Sequence, residues 1–253
     1  MYQIERHERM LEYINEHKKA TVDELSQYFG TSKVTIRSDI NELAKQGLVI
    51  KTHGGVLSIA DRLNFEIPYH SKFRLNIDAK AKIGTLAATM IKDNDVIILD
   101  AGSTTFEIIK KIKSKNITVI TNDVKIGFEA ARMSNINLIM TGGELEKSVY
   151  TLIGTDTEEF LRKIKVNKVF LGCDALDVDF GLSNTIIREV GVKKLMIAAA
   201  NHVILVTDSS KFNKRVFVKI CDLDCIHSLI TDQIDHNTRE ALEAKGIAIY
   251  ITG

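Results

Sequence analysis

The chain has 253 residues, 45% hydrophobic and 26% charged, the balance of a globular protein of one to two domains rather than of a disordered chain. No apolar run nears the ~18 residues that span a bilayer, and the opening Met1–Glu8 mixes both charges, unlike a signal peptide. The net charge of +1 decides nothing about nucleic acid, while three cysteines, an odd count, argue against a disulfide framework and for a reducing cytoplasm.

In chain order, residues 1–57 differ in style from the rest. Met10, Leu11 and Ile14 recur at helical spacing among charges, which predicts a first helix. Thr21-Val-Asp-Glu24 is a capping box that opens a second helix, with Val22, Leu25 and Phe29 on one face and Gly30 as its stop. Ser32 is a good N-cap for a third helix to Ala44, with Val34, Ile36, Ile40 and Leu43 expected on its buried side and Gly47 closing it. Leu48–Ile50, a Gly54-Gly55 turn and Val56-Leu57 read as a short hairpin. Residues 58–77 hold the only proline, Pro68, and weak periodicity, and are expected to be a linker.

Residues 78–253 alternate strand and helix. A helix is predicted over Asp78–Lys92, with Ile83, Leu86, Ala87 and Met90 facing inward. Strands are expected at Val96–Asp100, Ile117–Thr121, Asn137–Thr141, Val166–Gly172, Val203–Asp208, Ser228–Thr231 and Ala248–Ile251. Their near-continuous apolar runs suit parallel strands buried on both faces. Helical patterns at Thr105–Lys113, Asp123–Met133, Thr155–Ile164, Thr185–Ala199 and His236–Lys245 separate most of them. The fold class is therefore α/β: a small helical module joined to a larger, open, mostly parallel sheet domain.

Helix, turn, helix and a two-stranded wing is the winged helix-turn-helix layout, and the helix from Ser32 would be its recognition helix. Ser32, Lys33, Thr35, Arg37 and Ser38 offer hydroxyls and cations for phosphates and an arginine for a guanine edge. Lys51, Thr52 and His53 on the wing suit backbone contacts, and the glycines after His53 would let the turn approach the sugar-phosphate wall. Against this, residues 1–57 hold eight Lys/Arg and eight Asp/Glu, so only the local excess is positive. A helical dimerisation element is the competing reading.

In the larger domain, Asp100-Ala-Gly-Ser-Thr-Thr105 joins a strand to a helix start, a ready cradle for an anion such as phosphate. It lacks the three spaced glycines of a dinucleotide fingerprint and the lysine of a P-loop. Other strand ends are polar too: Thr121-Asn122, Thr141-Gly142-Gly143 and Asp208-Ser-Ser-Lys211. Ligands of open α/β sheets bind outside the carboxyl ends of strands, so these ends form one constellation. Lys211 would face a phosphate, Asp100, Asn122 and Asp208 would bond sugar hydroxyls, and Gly142-Gly143 would admit the ligand close to the backbone. Glu144–Tyr150 is a candidate lid, with Tyr150 able to stack on a ligand. Cys221 and Cys225 have three residues between them and no second Cys/His pair nearby, so they read as inert thiols, and neither a metal nor a cofactor is expected.

Thr21-Val-Asp-Glu-Leu-Ser-Gln-Tyr-Phe, Ser32-Lys-Val-Thr-Ile-Arg-Ser-Asp-Ile-Asn-Glu-Leu and Gly47-Leu-Val-Ile-Lys-Thr-His-Gly-Gly-Val resemble, without gaps, the DNA-binding signature of the DeoR family of bacterial transcriptional regulators. The resemblance continues through Asp-Ala-Gly-Ser-Thr-Thr, Thr-Asn, Gly-Gly and Asp-Ser-Ser-Lys-Phe, and so covers essentially the whole chain. It implies that Thr35 and Arg37 lie in the major groove of double-stranded operator DNA. It also implies a sensor domain similar in fold to ribose-phosphate isomerases and coenzyme A transferases, answering to a phosphorylated sugar, usually to release a repressor. Asp174, Glu189 and Lys193 fall where family members often contact the effector, although Glu189 and Lys193, at i and i+4, also suit a surface pair. Two departures stand out: Ser38 and Lys51 occupy positions where the family usually has arginine, so operator preference or affinity should differ.

Three functions remain in competition at this point. A ligand-responsive regulator needs paired recognition helices and hence a homo-oligomer, dimer or tetramer. A sugar-phosphate isomerase with a fused module would use Glu189, Asp174 or Asp208 for proton transfer, but the lysine-plus-glycine run that holds the reacting sugar in such enzymes is missing. A non-DNA interaction protein would use the helical module for assembly alone.

Overall fold

The computed structural model describes residues 2–58, 72–73, 75–113 and 116–253. Two compact units divide it, Met1–Leu75 and Asn76–Gly253. The expected linker lies largely outside the described residues, Pro68 with it.

The first unit holds α1 (Gln3–His17), β1 (Lys19–Thr21), α2 (Val22–Phe29), α3 (Lys33–Lys45), β2 (Val49–Thr52) and β3 (Gly55–Ser58). The expected capping box is present: the Thr21 side chain accepts from the Glu24 N–H at 3.1 Å, and Glu24 accepts from the Thr21 N–H at 2.7 Å. Gly30 ends α2 in the left-handed conformation, and Ser32 caps α3 by accepting from the Thr35 N–H at 3.2 Å. Met10, Leu11, Ile14, Leu25, Ile36, Ile40 and Leu43 form the core. The hairpin gains a third strand that three-residue patterning did not reveal, giving the antiparallel order β1-β3-β2. Gly55 serves that pairing, since a Cβ there would sit 2.5 Å from the Ala20 carbonyl oxygen, whereas Gly54 opens to solvent. Only the first glycine of the pair therefore has the exposed role expected of both.

The second unit is built on seven parallel strands. In chain order they are β4 (Val96–Leu99), β5 (Ile117–Thr121), β6 (Ile136–Met140), β9 (Val166–Leu171), β12 (Ala200–Val206), β14 (Ser228–Thr231) and β15 (Ala248–Ile251). They lie in the order β15-β14-β12-β9-β4-β5-β6. All seven expected strands are found, each within three residues of its expected start. Helices α4 (Ile77–Thr89), α5 (Ser103–Ile109), α6 (Val124–Ala130), α7 (Thr155–Arg162), α8 (Ile187–Ala199) and α9 (His236–Glu243) are interspersed with the strands. Two apolar clusters carry the packing, one around Ile98, Val169, Leu205 and Met196, the other around Ile97, Val119, Ile108 and Phe170.

The chain leaves β4 toward β5 and β6, then returns to the other side of β4 for β9. The order thus reverses between β4 and β9, the point where open α/β sheets leave a crevice. Two smaller antiparallel pieces escaped the sequence reading because their strands are only three or four residues long. One is the hairpin β7 (Glu144–Glu146)/β8 (Thr151–Ile153), which occupies the expected lid segment. The other is the three-stranded sheet β10 (Ala175–Asp177), β11 (Gly181–Asn184) and β13 (Val218–Cys221).

Candidate functional site

Each unit presents its own candidate site. In the first, α3 buries Ile36, Asp39, Ile40 and Leu43 and turns Arg37 and Ser38 outward. Val34, expected in the core, is 74% exposed. At about 100° per residue it lies nearly opposite Ile36, so the expectation read the apolar residue type and not its angle. Asp39, only 1% exposed, takes its place as the inward group. It accepts from Arg6 Nε at 2.6 Å and Nη2 at 3.1 Å, and its other contact is His7 Nε2 at 2.9 Å. Burial pushes the Asp39 carboxyl upward, but the Arg6 and His7 hydrogen bonds prevail and hold it below the usual range.

Part of the balance of eight cations and eight anions is thus spent within the unit, cations Arg6 and Lys33 included. Asp39 is neutralised inside, Glu24 is turned into its cap, and Asp23 pairs with Lys33 at 2.9 Å. Arg37, Asn41, Lys51, Thr52, His53 and Gly54 line a cleft of 220 Å³ between α3 and the hairpin. The fold thus brings together Arg37, Lys51 and His53 of the expected set. The Arg37 side chain makes no hydrogen bond or ion pair among the described residues. Ser32 and Thr35 share a hydroxyl contact at 2.9 Å next to the cap, and Ser38 is exposed. Asn41 was missed; its position one turn beyond Arg37 is the signal that could have found it.

In the second unit, the polar strand ends do fall on one rim. Leu99 pairs with Thr121 and Thr121 with Met140, so Asp100, Asn122 and Thr141 follow one another across three neighbouring strands. At the β4/β9 crevice, Asp100 accepts from the Gly172 N–H at 2.9 Å and pairs with Lys193, which also donates to the Gly172 carbonyl at 3.1 Å. Lys193 is 4% exposed, so it is no surface partner of Glu189. Burial pushes its ammonium down, but Asp100, Glu189 and Asp174 together hold it above the usual range. Glu189 accepts from Asn184 Nδ2 at 2.6 Å, and Asp174 accepts from the Thr185 N–H at 2.9 Å and from its hydroxyl at 2.6 Å.

The cradle itself is partly taken. Ala101 N–H donates to Asp100, and Gly102 N–H donates to Asp123 at 3.3 Å. Thr105 turns its hydroxyl back to the Gly102 carbonyl at 2.8 Å. The N–H groups and hydroxyls of Ser103 and Thr104 have no partner among the described residues. Across the rim, the Oδ1 of Asn122, a residue 2% exposed, also lacks one, while its Nδ2 donates to the Leu152 carbonyl at 3.2 Å. Asp123 was missed as a rim residue. It caps α6 by accepting from Lys125 and Ile126 N–H, and burial lifts its carboxyl to about 6.

At the end of β12, Asp208 accepts from Asn76 Nδ2 at 2.9 Å and from the Ser210 N–H at 3.1 Å. Burial raises its carboxyl, but Lys211, the Ser210 hydroxyl, Lys80 and Asn76 hold it below the usual range. Lys80, 5% exposed, is a second missed residue; its place in an amphipathic helix gave no hint of function. Cys173, pushed up to about 12 by burial, feels Asp174, Lys211 and Lys193, and so belongs to the same rim. Gly142 is open to solvent. Gly143 has a packing reason to be glycine: at φ +109°, a Cβ there would lie 2.3 Å from Thr157 Oγ1 and 2.5 Å from the Ile153 carbonyl. The β7/β8 hairpin is tied to α8 by Arg188, at 2.8 Å from Glu144 and 3.4 Å from Glu146. Tyr150 lies under Lys125 Nζ at 4.6 Å. Among the described residues no cluster of metal-ligating side chains occurs, and no helix is long and apolar enough to cross a membrane.

Comparison with known proteins adds to this geometry. Residues 6–62 match the DeoR-like helix-turn-helix domain, and residues 75–233 match the DeoR C terminal sensor domain. The HTH-type transcriptional regulator IolR of Bacillus subtilis (strain 168) is 34% identical over 227 residues, 89% of this chain and 90% of its own. The glycerol-3-phosphate regulon repressor of Escherichia coli (strain K12) is 28% identical over 233 residues, 92% of each chain. Among solved structures, ribose 5-phosphate isomerase A from Methanocaldococcus jannaschii aligns with 54% of this chain and 55% of its own, at a TM-score of 0.41 and 21% identity.

Proposed function

This chain belongs to the DeoR family of transcriptional regulators, and on that premise we propose that it represses a carbohydrate-metabolism operon and is released by a phosphorylated sugar. Residues 1–57 bind double-stranded operator DNA, through Arg37, Thr35 and Ser38 in the major groove and Ser32, Lys33, Lys51 and His53 on phosphates. Residues 78–253 hold the effector on the rim. The reading includes a homo-oligomer, a dimer or tetramer, because paired half-sites need paired recognition helices. It also includes a cytoplasmic setting.

The observation that carries the sensor reading is the set of unpartnered polar groups around the cradle: the N–H groups and hydroxyls of Ser103 and Thr104, with the buried Oδ1 of Asn122 across from them. Buried polar groups are almost always satisfied, so the Asn122 Oδ1 is a place where a ligand completes the bonding, beside the half-exposed donors of Ser103 and Thr104. Donors at a helix start suit a phosphate, and an acceptor suits a sugar hydroxyl. A relative of similar length is named for the glycerol-3-phosphate regulon, which agrees with a phosphorylated effector. We read the rim as a sensor and not as an isomerase centre, because Glu189 is engaged by Asn184 and no lysine-plus-glycine run follows the strand.

Thermal stability across a panel of sugar phosphates, with the free sugars as controls, tests the reading. A ligand at about 100 times its dissociation constant adds ~2.7 kcal/mol, a visible shift. A phosphosugar that shifts the melting point where its free sugar does not supports the cradle. Steady turnover of a phosphosugar, abolished by Glu189→Gln, would replace the sensor with an enzyme.

A further inference from the structure

We propose that Val34 is a specificity-determining residue: its side chain packs against the C5-methyl group of a thymine in the major groove, beside the base contact of Arg37. The inference rests on α3 being the helix that enters the groove, and adds what that helix reads there.

Four observations converge on this role. First, Val34 is 74% exposed, and among the described residues it is the only large apolar side chain that α3 leaves in water. Second, it is the second residue of α3, and in helix-turn-helix proteins the N-terminal residues of the recognition helix contact base edges. Third, its direction is right. Taking Ile36 as the inward pole and about 100° per residue, Arg37 lies at about 100°, Val34 at about 160° and Ser38 at about 200°. Val34 thus sits, in helical angle, between Arg37 and Ser38, two of the three residues placed in the major groove. Fourth, cations on this side of the unit suit a polyanion, with Arg37 one turn on and Lys51 facing Arg37 across the 220 Å³ cleft.

The chemistry then selects the occupant. In the major groove, bases offer hydrogen-bond donors and acceptors, and thymine alone among them adds a methyl group. A branched apolar side chain can gain nothing from the polar edges, and its burial against a methyl removes both from water. Arg37 beside it is matched to a guanine, so the pair reads a guanine and a nearby thymine rather than a guanine alone.

The test starts from the full chain and a library of randomised DNA duplexes. Bound duplexes are selected, and affinities for the enriched sequence are measured by fluorescence anisotropy. Each thymine is then replaced in turn by deoxyuridine, which removes only the methyl group. The expected result is one thymine per half-site whose replacement weakens the unaltered protein about fourfold, the worth of one buried methyl-sized group. Val34→Ala should lose a similar factor on the thymine duplex and show no further loss on the deoxyuridine duplex at that position. Val34 lies outside the core, so this variant folds as the parent does. The inference is overturned if every deoxyuridine effect is the same in both proteins, or if none is found; binding that still depends on Arg37 would then leave the DNA reading intact. Binding that Arg37→Ala leaves unchanged overturns the placement of α3 and this inference with it.

Discussion

The two candidate sites solve opposite problems. On α3 the working side chains point away from the fold: Arg37 and Ser38 are exposed, and Val34 stands in water. On the sensor rim the carboxylates are engaged within the fold: buried Asp100 with buried Lys193, buried Asp208 with Asn76 and Ser210 at the surface, half-buried Glu189 with buried Asn184. A groove reader can leave its cations solvated until DNA arrives. A small-ligand site must hold its polar groups in place out of water, and buried charge is tolerable only when paired.

Two aspartates sharpen the contrast. Asp39, flanked by Arg6 and His7, is held below the usual carboxylate range. Asp123, whose partners are mainly backbone N–H groups, is lifted by burial to about 6. The same residue type thus stabilises one unit as an anion and strains the other.

The largest expected effect falls on the rim. Lys193→Met leaves Asp100 buried without its partner and should cost about 3–5 kcal/mol in urea unfolding. A loss below about 1 kcal/mol would mean that water reaches Asp100. Next comes Arg37→Ala, expected to weaken specific DNA binding by about 1–3 kcal/mol with an unchanged melting temperature. A melting temperature that falls with it would make Arg37 structural and erase the contrast. Asp39→Asn should cost on the order of 2 kcal/mol of stability, because the three bonds from Arg6 and His7 lose their anionic acceptor and one accepting oxygen becomes an NH2 donor. As the Asp39 value is depressed from 3.8, this contribution is present above about pH 4 and is lost as acid titrates the carboxylate. Asp123 runs the other way. Its value is raised from 3.8 to about 6, so its ionised form costs stability at pH 7, and that cost is relieved as the pH falls through 6. Asp123→Asn should therefore flatten the gain in stability between pH 7 and pH 5. If the parent shows no such gain, Asp123 is better solvated than its burial implies.

How much of this was readable in the sequence follows the same division. The capping box at Thr21, the stop at Gly30 and the seven parallel strands were readable because they are local: short-range chemistry or unbroken apolar runs determine them. Val34 was misjudged because residue type was weighed above helical angle. The pairing of Lys193 with Asp100, 93 positions away, and the tie of Asn76 to Asp208 were invisible, because only the folded sheet brings them together. Glu189 and Lys193 looked like a helical surface pair for the same reason: spacing sets their proximity, whereas burial sets their role. At Gly143 the sequence could not show that the β8 strand and Thr157 leave no room for a side chain.

The most direct test of the account measures DNA binding by anisotropy while sugar phosphates, and then the matching free sugars, are titrated in. Coupling between two sites is typically ~1–3 kcal/mol, so the account predicts that one phosphosugar weakens DNA binding several-fold to about a hundredfold. The free sugar should do nothing, and Asn122→Ala should blunt the response. If no phosphosugar alters the DNA affinity, or if the free sugar acts equally well, the rim at Ser103, Thr104 and Asn122 is not the sensor described.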